Sequence, residues 1–395
     1  MIPKTGAGSI IYKPNFPVHF RISIFCQLSI CAECLLFWAE FARVPAILRH
    51  MPYDCLFVQL PKIESLNMIK TVDVLTVGNA IMDIFATCDD AFIADRDIGK
   101  GMMNLVDADR SAALYADLAN AEEISGGSAA NTAVGVAALG GKAAFAGRVH
   151  DDQLGHSFCR DIAAANVHFG NTPHQSGAPT ASSIILVTPD ATRSMNTFLG
   201  ACIEMQPTDI REEDVAAAQV IYLEGYLFDA PAGPEVFAHA AAVAKQHGTK
   251  ISVSLSDPWC AERHREALGQ FVQDNVDILF ANADEATSLC DAAFDDAVAT
   301  LAGMVSESVI TCGPEGAVIS ANGAVQHVQA MPQGDVVDTT GAGDLFAAGY
   351  LFGRTNGYTP LDSGRIASLA AGEVISHIGA RPQLDLAALI ATKLG

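Results

Sequence analysis

The sequence predicts an α/β fold with a central, mainly parallel sheet and helices on both of its faces. Three observations lead there. Short, nearly continuous apolar runs recur along the chain, as expected of strands buried on both faces. Between several of them lie Ala-rich stretches of helical length with start and stop signals, the pattern of βαβ units. Finally, 50% of the 395 residues are apolar and 17% charged, which supplies a large core and excludes a chain kept unfolded by its charge.

Taken in order, residues 1–67 stand apart. They hold six Lys/Arg, four Asp/Glu, nine aromatics and four of the ten cysteines, whereas the remaining 328 residues carry 17 basic and 41 acidic groups. The apolar stretch 22–42 is broken by Gln27, Glu33 and Glu40, so it falls short of the roughly 18 apolar residues of a membrane span. It also lies too deep in the chain, with no clear small-residue cleavage site, to read as a secretory signal. Met68 directly precedes the first strand pattern. Residues 1–67 are therefore expected to be an extension outside the fold, with Met68 as the natural start. Cys31 and Cys34 have the spacing of a metal or redox pair, but no second pair completes a zinc set. The other six cysteines are scattered and read as free thiols in a reducing compartment, which predicts a cytoplasmic protein.

Residues 68–395 read as one domain. Strands are expected at 74–77, 143–146, 183–187, 220–223, 251–255, 277–281 and 308–311. Helices are expected over 129–139, over 234–247 with Gly248 as the stop, over 258–272 opened by Pro258, and over 344–352 and 361–378. Two intervals, about 84–124 and 169–202, break the rhythm, and intervals of this kind are expected to supply lid segments over a rigid sheet. The net charge of −22 opposes binding to a nucleic acid polymer or an anionic membrane. A small phosphorylated ligand is compatible with it, because backbone amides at a helix N-terminus bind phosphate without net positive charge.

The most informative run is Asp338-Thr339-Thr340-Gly341-Ala342-Gly343-Asp344, followed by the apolar Leu345-Phe346-Ala347-Ala348. Small residues at 341–343 let the backbone approach a ligand, and the helix that follows would aim its free amides and positive dipole end there. Asp344 would reach a hydroxyl nucleophile beside a terminal phosphoryl group, which is the carboxylate that phosphoryl transfer to an alcohol requires. Other glycine-rich readings fail on spacing. A dinucleotide fingerprint would need glycine where Phe346 stands. The run from Gly135 to Lys142 has one residue too many for a P-loop, and Ala143 replaces the Ser/Thr.

A second motif is Ser125-Gly126-Gly127-Ser128-Ala129-Ala130-Asn131. Ser128 is a plausible N-cap there, and Asn131, one turn in, can present its amide to a polyol. The bland alternative is a capped packing helix. The third is Gly78-Asn79-Ala80-Ile81-Met82-Asp83 at the C-terminal end of the first strand, where open α/β sheets bind ligands. Asp83 can accept hydrogen bonds from two vicinal hydroxyls; its bland alternative is a solvated loop acid.

Gly126-Gly127 with Asn131, together with the run 338–344, resemble the two signature regions of the ribokinase (PfkB) family of small-molecule kinases, over essentially residues 73–382. Further matching pieces are Gly147-Arg148 with Asp152 and Gly155, the N-x-x-E of Asn282 and Glu285, and Thr311-Cys312-Gly313-Pro314-Glu315-Gly316. Within the family the chain is most similar to the adenosine kinases, through Gly78-Asn79 with Asp83, Arg193-Ser194-Met195, Tyr222-Leu223-Glu224-Gly225-Tyr226 and Ser256-Asp257-Pro258.

The resemblance implies a ribokinase-like fold with a small β lid, and transfer of the γ-phosphoryl of ATP to a primary hydroxyl, foremost the 5′-OH of adenosine. A ribokinase-like or fructokinase-like sugar kinase is the alternative, and a catalytically silent nucleoside-binding regulator is the alternative of another class. It further implies Asp344 as general base, Gly341, Ala342 and Gly343 as an anion hole, and Asn79, Asp83, Gly127 and Asn131 as ribose ligands with Tyr226 near the base. Thr311, Gly313 and Gly316 would lie by the nucleotide, and Asn282 with Glu285 would organise Mg²⁺ through water. Asp338 and Thr340 match a site for K⁺. The expected partner is a nucleoside or sugar, taken up by a monomer or homodimer.

Overall fold

The structure, a computed structural model, describes residues 70–118, 120–190 and 192–395. The expectations for residues 1–67, for Met68 and for Cys31 and Cys34 lie outside the described residues. In chain order the strands are β1 (Val72–Val77), β2 (Ile81–Thr87), β3 (Met103–Leu105), β4 (Glu122–Gly126), β5 (Ala143–Ala146), β6 (Val167–Phe169) and β7 (Ala181–Val187). They continue as β8 (Arg193–Phe198), β9 (Ala218–Glu224), β10 (Lys250–Ser254), β11 (Ile278–Asn282), β12 (Glu307–Thr311), β13 (Ala317–Ala321) and β14 (Ala324–Val328).

Nine of these form the central sheet in the order β14-β13-β12-β11-β10-β9-β1-β5-β6. Every neighbouring pair from β6 to β12 is parallel, and only the β12-β13-β14 meander is antiparallel. β1 lies between β5 and β9, with Val74 opposite Ala143 on one side and Val220 on the other. Its apolar run is continuous because both faces are covered. Val74 joins Phe145, Tyr222, Phe280 and Phe346 in one core, while Leu75 and Val77 join Ile221, Leu223 and Phe237 in the other. Each such large side chain, fully buried, stabilises the fold by about 1.5–3 kcal/mol.

The remaining strands form a smaller mixed sheet, ordered β3-β8-β7-β2-β4. All five draw on residues in or beside the intervals 84–124 and 169–202. The run 183–187, expected among the strands of the parallel sheet, belongs here as β7, parallel to β2 and antiparallel to β8. Its residues are buried on both faces, and an apolar run carries no mark of which sheet it joins.

Two helices differ from expectation. The segment 258–272 is two helices, Pro258–Arg263 and Arg265–Asn275, broken at His264, whose ring bonds to Asp229 at 2.7 Å. The segment 361–378 is helical only over Pro360–Val374. Beyond it the backbone turns to meet the loop before helix Ala342–Thr355, with Val337 N–H donating to the Ile375 carbonyl at 2.8 Å. Helices Ser128–Ala138 and Ala342–Thr355 pack so closely that a Cβ on Gly135 would lie 2.6 Å from that of Ala348. Small residues on both helices bring their N-terminal turns together at the carboxyl ends of the strands. No described helix is long and apolar enough to cross a membrane, and the six described cysteines are free.

Candidate active site

Asp344 stands in the first turn of helix Ala342–Thr355, whose N-cap, Gly341, has φ +79°. One carboxylate oxygen accepts from Ser128 Oγ at 2.6 Å and the other from Asn131 Nδ2 at 3.0 Å, while Thr132 Oγ1 reaches its carbonyl at 3.3 Å. Residues 128, 131 and 132 share one face of their helix, and that face is aimed at Asp344. Burial raises the Asp344 carboxyl above its ordinary range, opposed by the bonds from Ser128 and Asn131 and by the charge of Arg381. The two signature regions are thus joined through one carboxylate. Ser128 is not the N-cap expected of it: Gly127 caps the helix without a side-chain bond, and the freed hydroxyl holds Asp344.

Asp83, on β2, lies against the same turn. A Cβ on Gly126 would come within 2.1 Å of its Oδ2, so only glycine leaves that carboxylate its place. Gly127 takes φ +97°, and a Cβ there would meet the Asn79 carbonyl at 2.1 Å. Behind the turn, Glu224 at the end of β9 is buried and accepts from Asn79 Nδ2 at 3.0 Å and Ala129 N–H at 2.9 Å. Burial pushes Asp83 up to about 7, with Arg381 opposing and Asp344 adding to the rise. Glu224 is likewise pushed to about 7 by burial.

Asp83 and Asn131 line a cavity of about 470 Å³ whose other walls include Phe85, Ile124, Val187 and Ile378. Asn79 and Gly127, expected among the ribose ligands, do not line this cavity. Tyr226 stands apart from it, 40% exposed on the 3₁₀ segment Gly225–Asp229.

A second, more apolar cavity of about 650 Å³ adjoins the helix start at Ala342 and Gly343. Thr311, Gly313 and Gly316 line it with Ala342, Gly343 and Phe346. Of the expected anion-hole residues, Ala342 spends its N–H on the Thr339 carbonyl at 3.2 Å, while the space about Gly343 is open.

Asn282 and Glu285 line neither cavity. They form a reciprocal helix cap: Asn282 Oδ1 accepts from Glu285 N–H at 2.8 Å, and the Glu285 carboxylate accepts from Asn282 N–H at 2.9 Å and Nδ2 at 2.7 Å. Burial and the neighbouring acids Asp257 and Asp284 push Glu285 up to about 7, with no basic group offsetting them. Both Glu285 oxygens are engaged by Asn282, so a divalent cation would be met there only through water, with Asp257 and Asp284 adding negative charge nearby.

Asp338 is different. It accepts from Thr340 N–H at 3.1 Å, Thr340 Oγ1 at 2.7 Å and Gly379 N–H at 2.9 Å, and Arg193 from β8 pairs with it at 2.6 Å. The chain supplies its own cation there, so these residues do not fit the K⁺ expected at Asp338 and Thr340.

Residues 98–386 match the pfkB family carbohydrate kinases. Adenosine kinase from Saccharomyces cerevisiae (strain ATCC 204508 / S288c) is 28% identical over 77% of this chain and 96% of its own length. The crystal structure of adenosine kinase from Sinorhizobium meliloti is 46% identical, superposes with a TM-score of 0.73, and covers 81% of this chain and 99% of that one. A protein from Rhizobium etli CFN 42 described as a probable sugar kinase is also 46% identical, with a TM-score of 0.74, over 82% of this chain and 99% of that one.

The ribokinase-like fold and the family match define a small-molecule kinase, a phosphotransferase with an alcohol group as acceptor; Asp344 itself lines neither cavity and touches the first through Asn131. The chain belongs to the pfkB carbohydrate kinase family, and within it resembles the adenosine kinases. Sequence reasoning missed Ser128, Glu224 and Arg381 as parts of the site. Ser128 carried a signal, since it shares a helical face with Asn131. Glu224 lay within the Tyr222–Tyr226 run that carries the resemblance but was given no role, and Arg381 carried no signal, because both roles arise from tertiary contacts.

Proposed function

We propose that the protein transfers the γ-phosphoryl group of ATP to the 5′-OH of adenosine, giving AMP. The observation that carries this is the place of Asp344: it is bonded to Asn131 of the first cavity and adjacent in sequence to Gly343 of the second. An acceptor hydroxyl entering from one side and a terminal phosphoryl from the other would meet at this carboxylate. Asp344 would take the hydroxyl proton as the oxygen attacks phosphorus, the general-base step of such a transfer. The Gly343 amide, at the positive end of the helix dipole, would bear on charge at the transferring group.

Asp83 would accept from two vicinal ribose hydroxyls. The apolar walls beside it suit a flat base attached to that ribose better than a free sugar, which would leave them uncovered. The second, more apolar cavity would take the adenine of ATP. Asp257 and Glu285 would hold Mg²⁺ through water, and when bound it would neutralise phosphate oxygens.

The test is a panel of adenosine, other nucleosides, ribose and fructose with Mg-ATP. The highest kcat/KM is expected with adenosine. A preference for ribose or fructose would replace this reading with that of a sugar kinase. Binding of adenosine without ATP consumption would make the protein a silent nucleoside binder.

A further inference from the structure

Arg381 lies in the loop after helix Pro360–Val374, and the transfer described above does not use it. The loop is held from within: Gly379 N–H donates to Asp338 at 2.9 Å, and Gln383 and Leu384 N–H both donate to the buried Glu373 at 2.9 Å. From it the guanidinium lines the acceptor cavity with Asp83 and Asn131. Its Nη2 donates to the Ser125 carbonyl and to Ser125 Oγ, the latter at 3.0 Å. Ser125 N–H is tied in turn to Asp161 at 2.7 Å. Its Nε–H is buried without a partner.

Among the described residues, Arg381 is the one basic side chain lining this cavity. The acids facing it are Asp83 on β2, Asp161 on helix Gln153–Ala164 and Asp344 on helix Ala342–Thr355, with Glu122 on β4 lining the same space.

We propose that Arg381 is a positioning residue of the transfer site. It fixes the Ser125-Gly126-Gly127 turn through Ser125, sets its charge beside Asp83 and Asp344, and keeps one N–H ready for an acceptor oxygen of the bound substrate. This rests on the kinase reading above and deepens it. The burial that raises Asp83 and Asp344 is opposed at both by this one guanidinium. Burial lowers Arg381 only to about 10, so it stays charged at neutral pH.

The test compares R381M and R381K with the wild type in the full chain. The Asp83 carboxyl carbon is titrated by NMR, and rates are measured with Mg-ATP and adenosine. In R381M the Asp83 midpoint is expected to rise by about one pH unit or more, and the acid limb of kcat/KM to follow it, since one close opposite charge is worth about 1–3 units. KM for adenosine should rise on the order of tenfold while KM for ATP stays within about twofold.

R381K keeps the charge but loses the Nε–H and the reach of Nη2 to Ser125, so it should keep the wild-type acid limb and show the adenosine KM rise. An Asp83 midpoint in R381M equal to that of the wild type overturns the proposal. Should R381M not fold, an unchanged adenosine KM in folded R381K overturns it. The NMR titration needs no turnover, so a wild type inactive on every acceptor sinks the kinase reading while the titration still decides the electrostatic role of Arg381.

Discussion

Replacing Asp344 by asparagine separates chemistry from architecture. The carboxylate accepts one bond from Ser128 Oγ and one from Asn131 Nδ2. An asparagine can turn its oxygen toward Asn131 and its amide toward Ser128, whose hydroxyl rotates from donor to acceptor. Both contacts survive, but the base does not. Turnover should fall on the order of 10²–10⁴-fold, about 2.7–5.4 kcal/mol on the barrier.

Stability should move the other way. Burial raises the folded pKa of Asp344 above its unfolded value. The stability linked to it is therefore fully present below the unfolded pKa and lost as pH rises through the folded one. Asparagine never ionises, so D344N should melt at or above the wild-type temperature at pH 8, with the difference shrinking as the pH falls toward the unfolded carboxylate range. The assays are a coupled ATP-consumption rate with adenosine, ATP binding by calorimetry, and melting across that pH range. A folded D344N with ATP affinity intact and turnover within about tenfold of wild type would remove Asp344 from the mechanism.

Four further outcomes are expected. Gly126→Ala forces the Asp83 carboxylate aside, because its Cβ would sit 2.1 Å from Oδ2, and should raise adenosine KM while leaving ATP KM and melting nearly unchanged; an unchanged adenosine KM would show that Asp83 does not hold the acceptor. With Asp83 near 7, kcat/KM should decline as pH falls through 7, since the protonated acid no longer accepts from both hydroxyls, and a limb near pH 4 would contradict this. Asp83→Ala should weaken adenosine about 10- to 100-fold, the worth of hydrogen bonds to a charged group, and equal weakening of ATP would mark a structural role instead. Because Arg193 already neutralises Asp338 at 2.6 Å, exchanging K⁺ for tetramethylammonium should change the rate little, and strong activation by K⁺ would show that the pair opens in the working enzyme.

The sequence by itself determined the parallel α/β class, most strands of the central sheet, the glycine turns and the two signature runs that meet at Asp344. These are local: a strand covered on both faces must be apolar throughout, and a backbone pressed against Asn79 or Asp83 must be glycine. It could not assign β7 to the smaller sheet, because burial on both faces looks alike in either. It read Ser128 as a cap, since a serine at a helix start has the same appearance whether its hydroxyl turns to its own backbone or to a carboxylate more than 200 residues away. The K⁺ expected at Asp338 gave way to Arg193, Glu224 gained a role its motif had not assigned, and Arg381 entered the site unannounced, because ion pairs and buried carboxylate contacts depend on which distant elements the fold brings together. Tertiary structure alone decided how charge is distributed around Asp344, because desolvation and Coulomb forces act through space and not along the chain.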